Sequence, residues 1–156
     1  MNFFFGIKSN FFKSKLQIPK FKNQDNNFTD KINLYCIKVK DKNWKLKNLS
    51  NVNQDRFFYY LGDSEIDNDN IFFLASSKEI SNFEKKKLLK LNDYTSTFPS
   101  YRCNFEIYNN FGGFSSFQSE YPHSMINKRG NIFSPINNLL NEYFKRNFLF
   151  FKNIIT

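Results

Sequence analysis

Along residues 99–122, apolar Cys103, Phe105 and Ile107 alternate with polar Arg102, Asn104 and Glu106, and the adjacent Gly112 and Gly113 interrupt the run. A period of two belongs to a strand with one buried face, and paired glycines mark a turn, so the stretch predicts a β-hairpin. A loop of Phe111, Gly112 and Gly113 pairs Ile107 with Phe117, Phe105 with Ser119 and Cys103 with Tyr121 on one face. The other face then carries Tyr108 opposite Ser116, Glu106 opposite Gln118 and Asn104 opposite Glu120, with Arg102 diagonal to Glu120. A loop of the two glycines alone would mix apolar with charged groups on both faces. Because a one-residue slip turns every side chain over, the pattern favours the first register.

The same reading predicts a strand over residues 32–40, where Leu34, Cys36 and Lys38 alternate with Tyr35, Ile37 and Val39, and its continuation past a turn through Trp44 and Leu46. Residues 56–61 and 71–75 are continuous apolar runs of strand length, expected as central strands buried on both faces. Ser76 with Glu79 three positions later forms a capping box, and Ile80, Phe83, Leu88 and Leu91 supply the stripe of a helix ending near Asn92. Past the hairpin, a turn at residues 127–130 and a short strand at 132–133 precede a second helix. Ser134 and Pro135 open it, and Ile136, Leu139, Leu140 and Tyr143 form its stripe. Residues 148–151 are too apolar for an edge strand and are expected inside the sheet. The predicted fold class is α+β: one mainly antiparallel sheet of about six to eight strands with two amphipathic helices. The alternative is an all-β, sandwich-like fold. Residues 1–30 are expected as an N-terminal arm, with the loop at 23–30 preceding a single domain over residues 31–156.

Composition changes this picture little. A chain of 156 residues is one domain's worth. The 22 Phe and 8 Tyr against 1 Trp, and lysine as the dominant base, match what an AT-rich coding sequence supplies, so aromatic content and charge are weak functional signals. The net charge of +9 would attract a polyanion, yet the lysines are spread along the chain, the densest run being Lys85, Lys86 and Lys87. Cys36 and Cys103 stand in no metal-ligand or redox spacing and are expected as free buried thiols in the cytoplasm. The N-terminal apolar run breaks at Lys8, too short for a signal peptide, and no segment reaches the roughly twenty apolar residues of a membrane span.

Chemistry is sparse. Asp63, Glu65, Asp67 and Asp69 stand at alternate positions, but Asn68 and Leu74 occupy the places where a calcium loop needs glycine and a bidentate glutamate, so a solvated turn is expected. No phosphate loop, dinucleotide fingerprint or zinc ligand set occurs, and no cofactor or metal is expected. The one histidine, His123, could be drawn with Glu120 or Glu106 as a hydrolase, but no nucleophile elbow accompanies it. Glu106 and Glu120 could be drawn as a glycosidase pair, although Arg102 and Gln118 offer them partners in a cross-strand network.

What stands out is a stripe of planar donors and acceptors: Arg102, Asn104, Glu106, Tyr108, Ser116, Gln118 and Glu120, with His123 just beyond. Such a surface suits a polyhydroxylated, carbohydrate-like ligand or a polar protein partner. The expected function is therefore a non-catalytic binding or assembly module, with these residues as its ligand-binding set and no catalytic residue. Nucleic-acid binding through charge is the first alternative, and the hydrolase is the second.

Overall fold

The computed structural model describes residues 3–20, 32–40, 43–84, 103–110 and 114–119. They form β1 (Phe3–Phe4), β2 (Lys13–Pro19), β3 (Ile32–Lys40), β4 (Asn43–Asn48), β5 (Phe58–Leu61), β6 (Asn70–Ser76), α1 (Ser77–Glu84), β7 (Cys103–Tyr108) and β8 (Phe114–Ser119). The strands make two four-stranded antiparallel sheets, ordered β1-β6-β3-β4 and β5-β2-β7-β8. The architecture is mainly antiparallel β, sandwich-like, with one short helix among the described residues. It replaces the single sheet expected from the sequence. The second predicted helix, at residues 134–143, lies outside the described residues, as do the strands expected at 132–133 and 148–151.

Two apolar layers hold the sheets. Phe4, Leu34, Cys36, Phe72 and Leu74 of the first sheet meet Leu16, Ile18, Tyr59, Leu61, Cys103 and Phe105 of the second in one buried cluster. On its other side the first sheet turns Phe3, Tyr35, Ile37, Phe73 and Ala75 toward Ile80 and Phe83 of α1. Phe73 is central to that layer, with ring centroids 5.6 Å from Phe3, 5.8 Å from Tyr35 and 5.3 Å from Phe83. The unbroken apolar run of β6 follows from its place: it lies between β1 and β3, and both of its faces are covered.

The predicted capping box is present. Ser76 donates its backbone N–H at 2.8 Å and its hydroxyl at 2.9 Å to Glu79 Oε2, while the Glu79 N–H reaches Ser76 Oγ at 3.5 Å. These bonds satisfy donors at the helix start and turn the chain out of β6.

Three further expectations change. The run at residues 56–61 yields β5, the outer strand of its sheet among the described strands, with Tyr59 and Leu61 buried and Phe58 and Tyr60 half-buried. One face of that run is therefore open, because an aromatic at an outward position shields a strand without being buried itself. Residues 3–20, inside the segment expected as an arm, contribute β1 to one sheet and β2 to the other. The hairpin register is displaced by two residues: Phe105 lies opposite Phe117, Ile107 opposite Ser115, Cys103 opposite Ser119, Glu106 opposite Ser116 and Asn104 opposite Gln118. A two-residue slip preserves the alternation of β7 and sets Phe105 opposite Phe117 in the register.

The acidic loop is more than a solvated turn. Ile66 is fully buried in the core between the sheets, and the chain packs so closely at Gly6 that a Cβ there would lie 2.4 Å from Ile66 Cγ2. Asn68 clamps the neighbouring strand connection, accepting the Lys8 N–H at 2.8 Å and donating to the Lys8 carbonyl at 3.1 Å. Asp63 accepts the Ser14 N–H at 3.3 Å, and the buried Ser14 hydroxyl donates to the Ile7 carbonyl. No described helix is long and apolar enough to cross a membrane.

Candidate functional site

The outward face of the second sheet is where the predicted polar stripe falls. Strand alternation sends Leu16 and Ile18 inward from β2, and so sets Lys13, Lys15 and Gln17 outward. On β7 the inward residues are Cys103 and Phe105, and Asn104, Glu106 and Tyr108 share the outward row. The register places Gln17 beside both Asn104 and Tyr60, Lys15 beside Glu106, and Lys13 beside Tyr108.

Glu106 is the polar centre of this face. Its Oε1 accepts hydrogen bonds from Gln17 Nε2 at 3.3 Å and from Asn104 Nδ2 at 3.2 Å. Two amide donors, one from β2 and one from β7 itself, hold the carboxylate in place. The Lys15 ammonium lies 4.9 Å from the centroid of the Tyr108 ring, within reach of a cation–π attraction.

The far wall is built by the turn before β5. Asp55 Oδ1 accepts the backbone N–H groups of Phe57 and Phe58, both at 2.7 Å, and Oδ2 accepts the Tyr60 hydroxyl at 2.6 Å. The Tyr60 hydroxyl, then those backbone donors, hold the Asp55 carboxyl below its ordinary value, while the accepting carboxylate holds the Tyr60 phenol above its own. Tyr60 is thereby fixed by its tip, with its ring on the outward side. The turn is secured further by Lys20, whose ammonium donates to Gln54 Oε1 at 2.7 Å and to the Asp55 carbonyl.

Between these walls lies a hollow of about 410 Å³, lined by Lys15, Gln17, Asn53, Tyr60, Gly62, Glu65 and Glu106 among others. Its origin is geometric. Leu61, the last residue of β5, pairs with Leu16, so the next position along, facing the Lys15 row, is Gly62, which has no side chain to fill the space. Glu65 closes that end, accepting the Gly62 N–H at 2.8 Å and the Ser64 hydroxyl at 2.7 Å. A Cβ on Gly62 would stand 3.3 Å from Glu65 Oε2.

Of the residues expected to form the site, Asn104, Glu106 and Tyr108 lie on this face, and Ser116 and Gln118 occupy register positions on its β8 side. Arg102, Glu120 and His123 lie outside the described residues, as do the lysines at 85–90. Lys15, Gln17, Tyr60 and Glu65 were not expected. The alternation Lys13, Lys15, Gln17 against Ser14, Leu16, Ile18 was a readable strand signal, but the pairing of β2 with β7 joins residues 87 to 95 positions apart in sequence. Among the described residues, no group of three or more His, Cys, Asp or Glu is placed to hold a metal ion.

Fold and face together define an antiparallel two-sheet β protein with a polar, concave patch on one sheet. Compared with protein-family models, curated proteins and solved structures, the chain matches none.

Proposed function

We propose that the protein is a non-catalytic binding module whose ligand is carbohydrate-like and sits in the hollow on the second sheet. The observation that carries this reading is the lining: a carboxylate oriented by two amides, a lysine, an asparagine and a tip-anchored tyrosine around one cavity. The lining combines donors and acceptors that hydroxyl groups can bond, and the Tyr60 ring offers an apolar surface for a sugar's C–H face. A polyanion is disfavoured because Glu65 and Glu106 both line the hollow. On this reading the protein works in the cytoplasm, where buried thiols such as Cys36 and Cys103 stay reduced.

Glycan-array screening of the full chain, followed by titration calorimetry on the best hit, tests the proposal. A hydrogen bond to a charged group contributes about 1.5–3 kcal/mol, so Glu106→Ala combined with Gln17→Ala should weaken binding by at least about tenfold. Unchanged circular dichroism would show that the variant still folds. Binding that survives the double substitution, or an array without a hit, would overturn the carbohydrate reading. A captured protein partner whose retention depends on the same residues would replace it.

A further inference from the structure

The first sheet carries a separate surface that the hollow does not use. In the β3–β4 hairpin, Lys38 is paired directly with Lys45, Lys40 with Asn43 and Cys36 with Lys47. Residues opposite one another in an antiparallel pair point to the same side, and so do residues two apart on one strand. Lys38, Lys40, Lys45 and Lys47 therefore share one face of the hairpin, and all four are exposed. The other face carries Val39, Trp44 and Leu46, of which Trp44 and Leu46 pack against the cluster beneath α1.

Folding alone does not account for this arrangement. Lysine on an outer strand discourages pairing with other chains, which explains Lys45 and Lys47 on β4. It does not explain Lys38, which is flanked on both sides, by Asn70 of β6 and Lys45 of β4. Like charges set directly opposite one another cost stability, and Lys38 faces Lys45. Lys38 is paired with Asp67, whose Oδ2 lies 3.3 Å from its ammonium and whose carboxyl is held below its ordinary value chiefly by that bond. Lys40, Lys45 and Lys47 remain as the positive group. Over residues 38–47 the sequence sets Lys38, Lys40, Lys42, Lys45 and Lys47 against Asp41 alone.

We propose that this lysine face binds the phosphate backbone of duplex nucleic acid without reading its sequence. From Lys40 to Lys47 the patch runs four residue steps, roughly 14 Å, along a ribbon about 5 Å wide, long enough to reach more than one phosphate of a strand. The described face presents no arginine fork to read guanine and no aromatic ring to stack on an unpaired base, since Trp44 lies on the opposite side. Point charges on flexible stems suit phosphate contacts, which carry no sequence information.

Fluorescence anisotropy of the full chain with a labelled mixed-sequence duplex, from 50 to 300 mM KCl, tests this. Each phosphate contact contributes about 0.9 to the slope of log affinity against log salt. The triple variant Lys40→Gln, Lys45→Gln, Lys47→Gln should therefore lower the slope by about 2.7 and weaken binding more than tenfold at low salt. The matching Lys→Arg triple variant should keep the slope, and two unrelated duplexes should bind within about twofold of each other. Trp44 emission reports whether the hairpin stays folded. No binding by the unaltered chain would overturn the proposal, as would an unchanged slope in the glutamine variant. A slope that disappears instead when Lys85, Lys86, Lys87 and Lys90 become Gln would also overturn it. So would loss of binding to phosphatidylserine vesicles with duplex binding intact, which would assign the face to a membrane.

Discussion

Substituting Gly6 by alanine tests how the N-terminal strands are held. A Cβ at this position would lie 2.4 Å from Ile66 Cγ2, 3.3 Å from Cγ1 and 3.4 Å from Cβ. Carbon atoms rest at about 3.5–4.0 Å, so the closest approach is short by more than about 1 Å. Ile66 is fully buried and has no open space to turn into. Gly6→Ala should therefore cost about 1–3 kcal/mol, the usual penalty for overpacking. Ile66→Ala removes both γ carbons and should cost about 2–5 kcal/mol by itself. In that background the added methyl finds room, and Gly6→Ala should be neutral or gain about 0.4–1 kcal/mol from the stiffer unfolded chain. The two changes should thus be non-additive by at least about 1 kcal/mol, against the roughly 0.5 kcal/mol scatter of independent sites. Urea unfolding followed by the emission of Trp44, the sole tryptophan, gives all four stabilities by linear extrapolation. Equal costs of Gly6→Ala in both backgrounds would refute the docking of residues 5–12 against the loop at 62–70.

Ser76→Ala removes the hydroxyl of the capping box and should destabilise the protein by about 1 kcal/mol, measured by the same unfolding experiment. Glu79→Gln, which keeps an acceptor for the Ser76 N–H, should cost less, and the reverse order would contradict the cap. Asp55 and Tyr60 predict opposite pH effects from one hydrogen bond. With the folded pKa of Asp55 depressed, its contribution is present above the unfolded value and lost as pH falls through the folded one. With that of Tyr60 raised, its contribution is present below the unfolded value and lost as pH rises through the folded one. Tyr60→Phe should move the Asp55 titration midpoint, followed by carboxyl-carbon NMR, up toward the ordinary carboxylate range. An unmoved midpoint would show that the hydroxyl does not hold Asp55.

Local patterns in the chain determined a good deal. The run over residues 32–40 read as a strand, and alternation over residues 103–108 gave a strand with the correct faces, because burial of one side imposes a period of two whatever the partner strand is. The box at Ser76 and Glu79 marked the helix start because both partners lie within one turn. The outward placement of Asn104, Glu106 and Tyr108 was legible for the same reason, and survived a two-residue error in register because the period is even. Only the tertiary structure decided how strands separated in sequence pair. Burial on one face looks the same in one sheet as in two, so the division into two sheets could not be read from periodicity. Nor could the hollow. It exists because β2 runs between β5 and β7, setting Gln17 beside both Tyr60 and Asn104, and because β5 ends where a glycine follows. A site assembled from long-range pairings leaves no spacing in the sequence, since each strand contributes only its own alternation, and the chain must fold before those rows become neighbours.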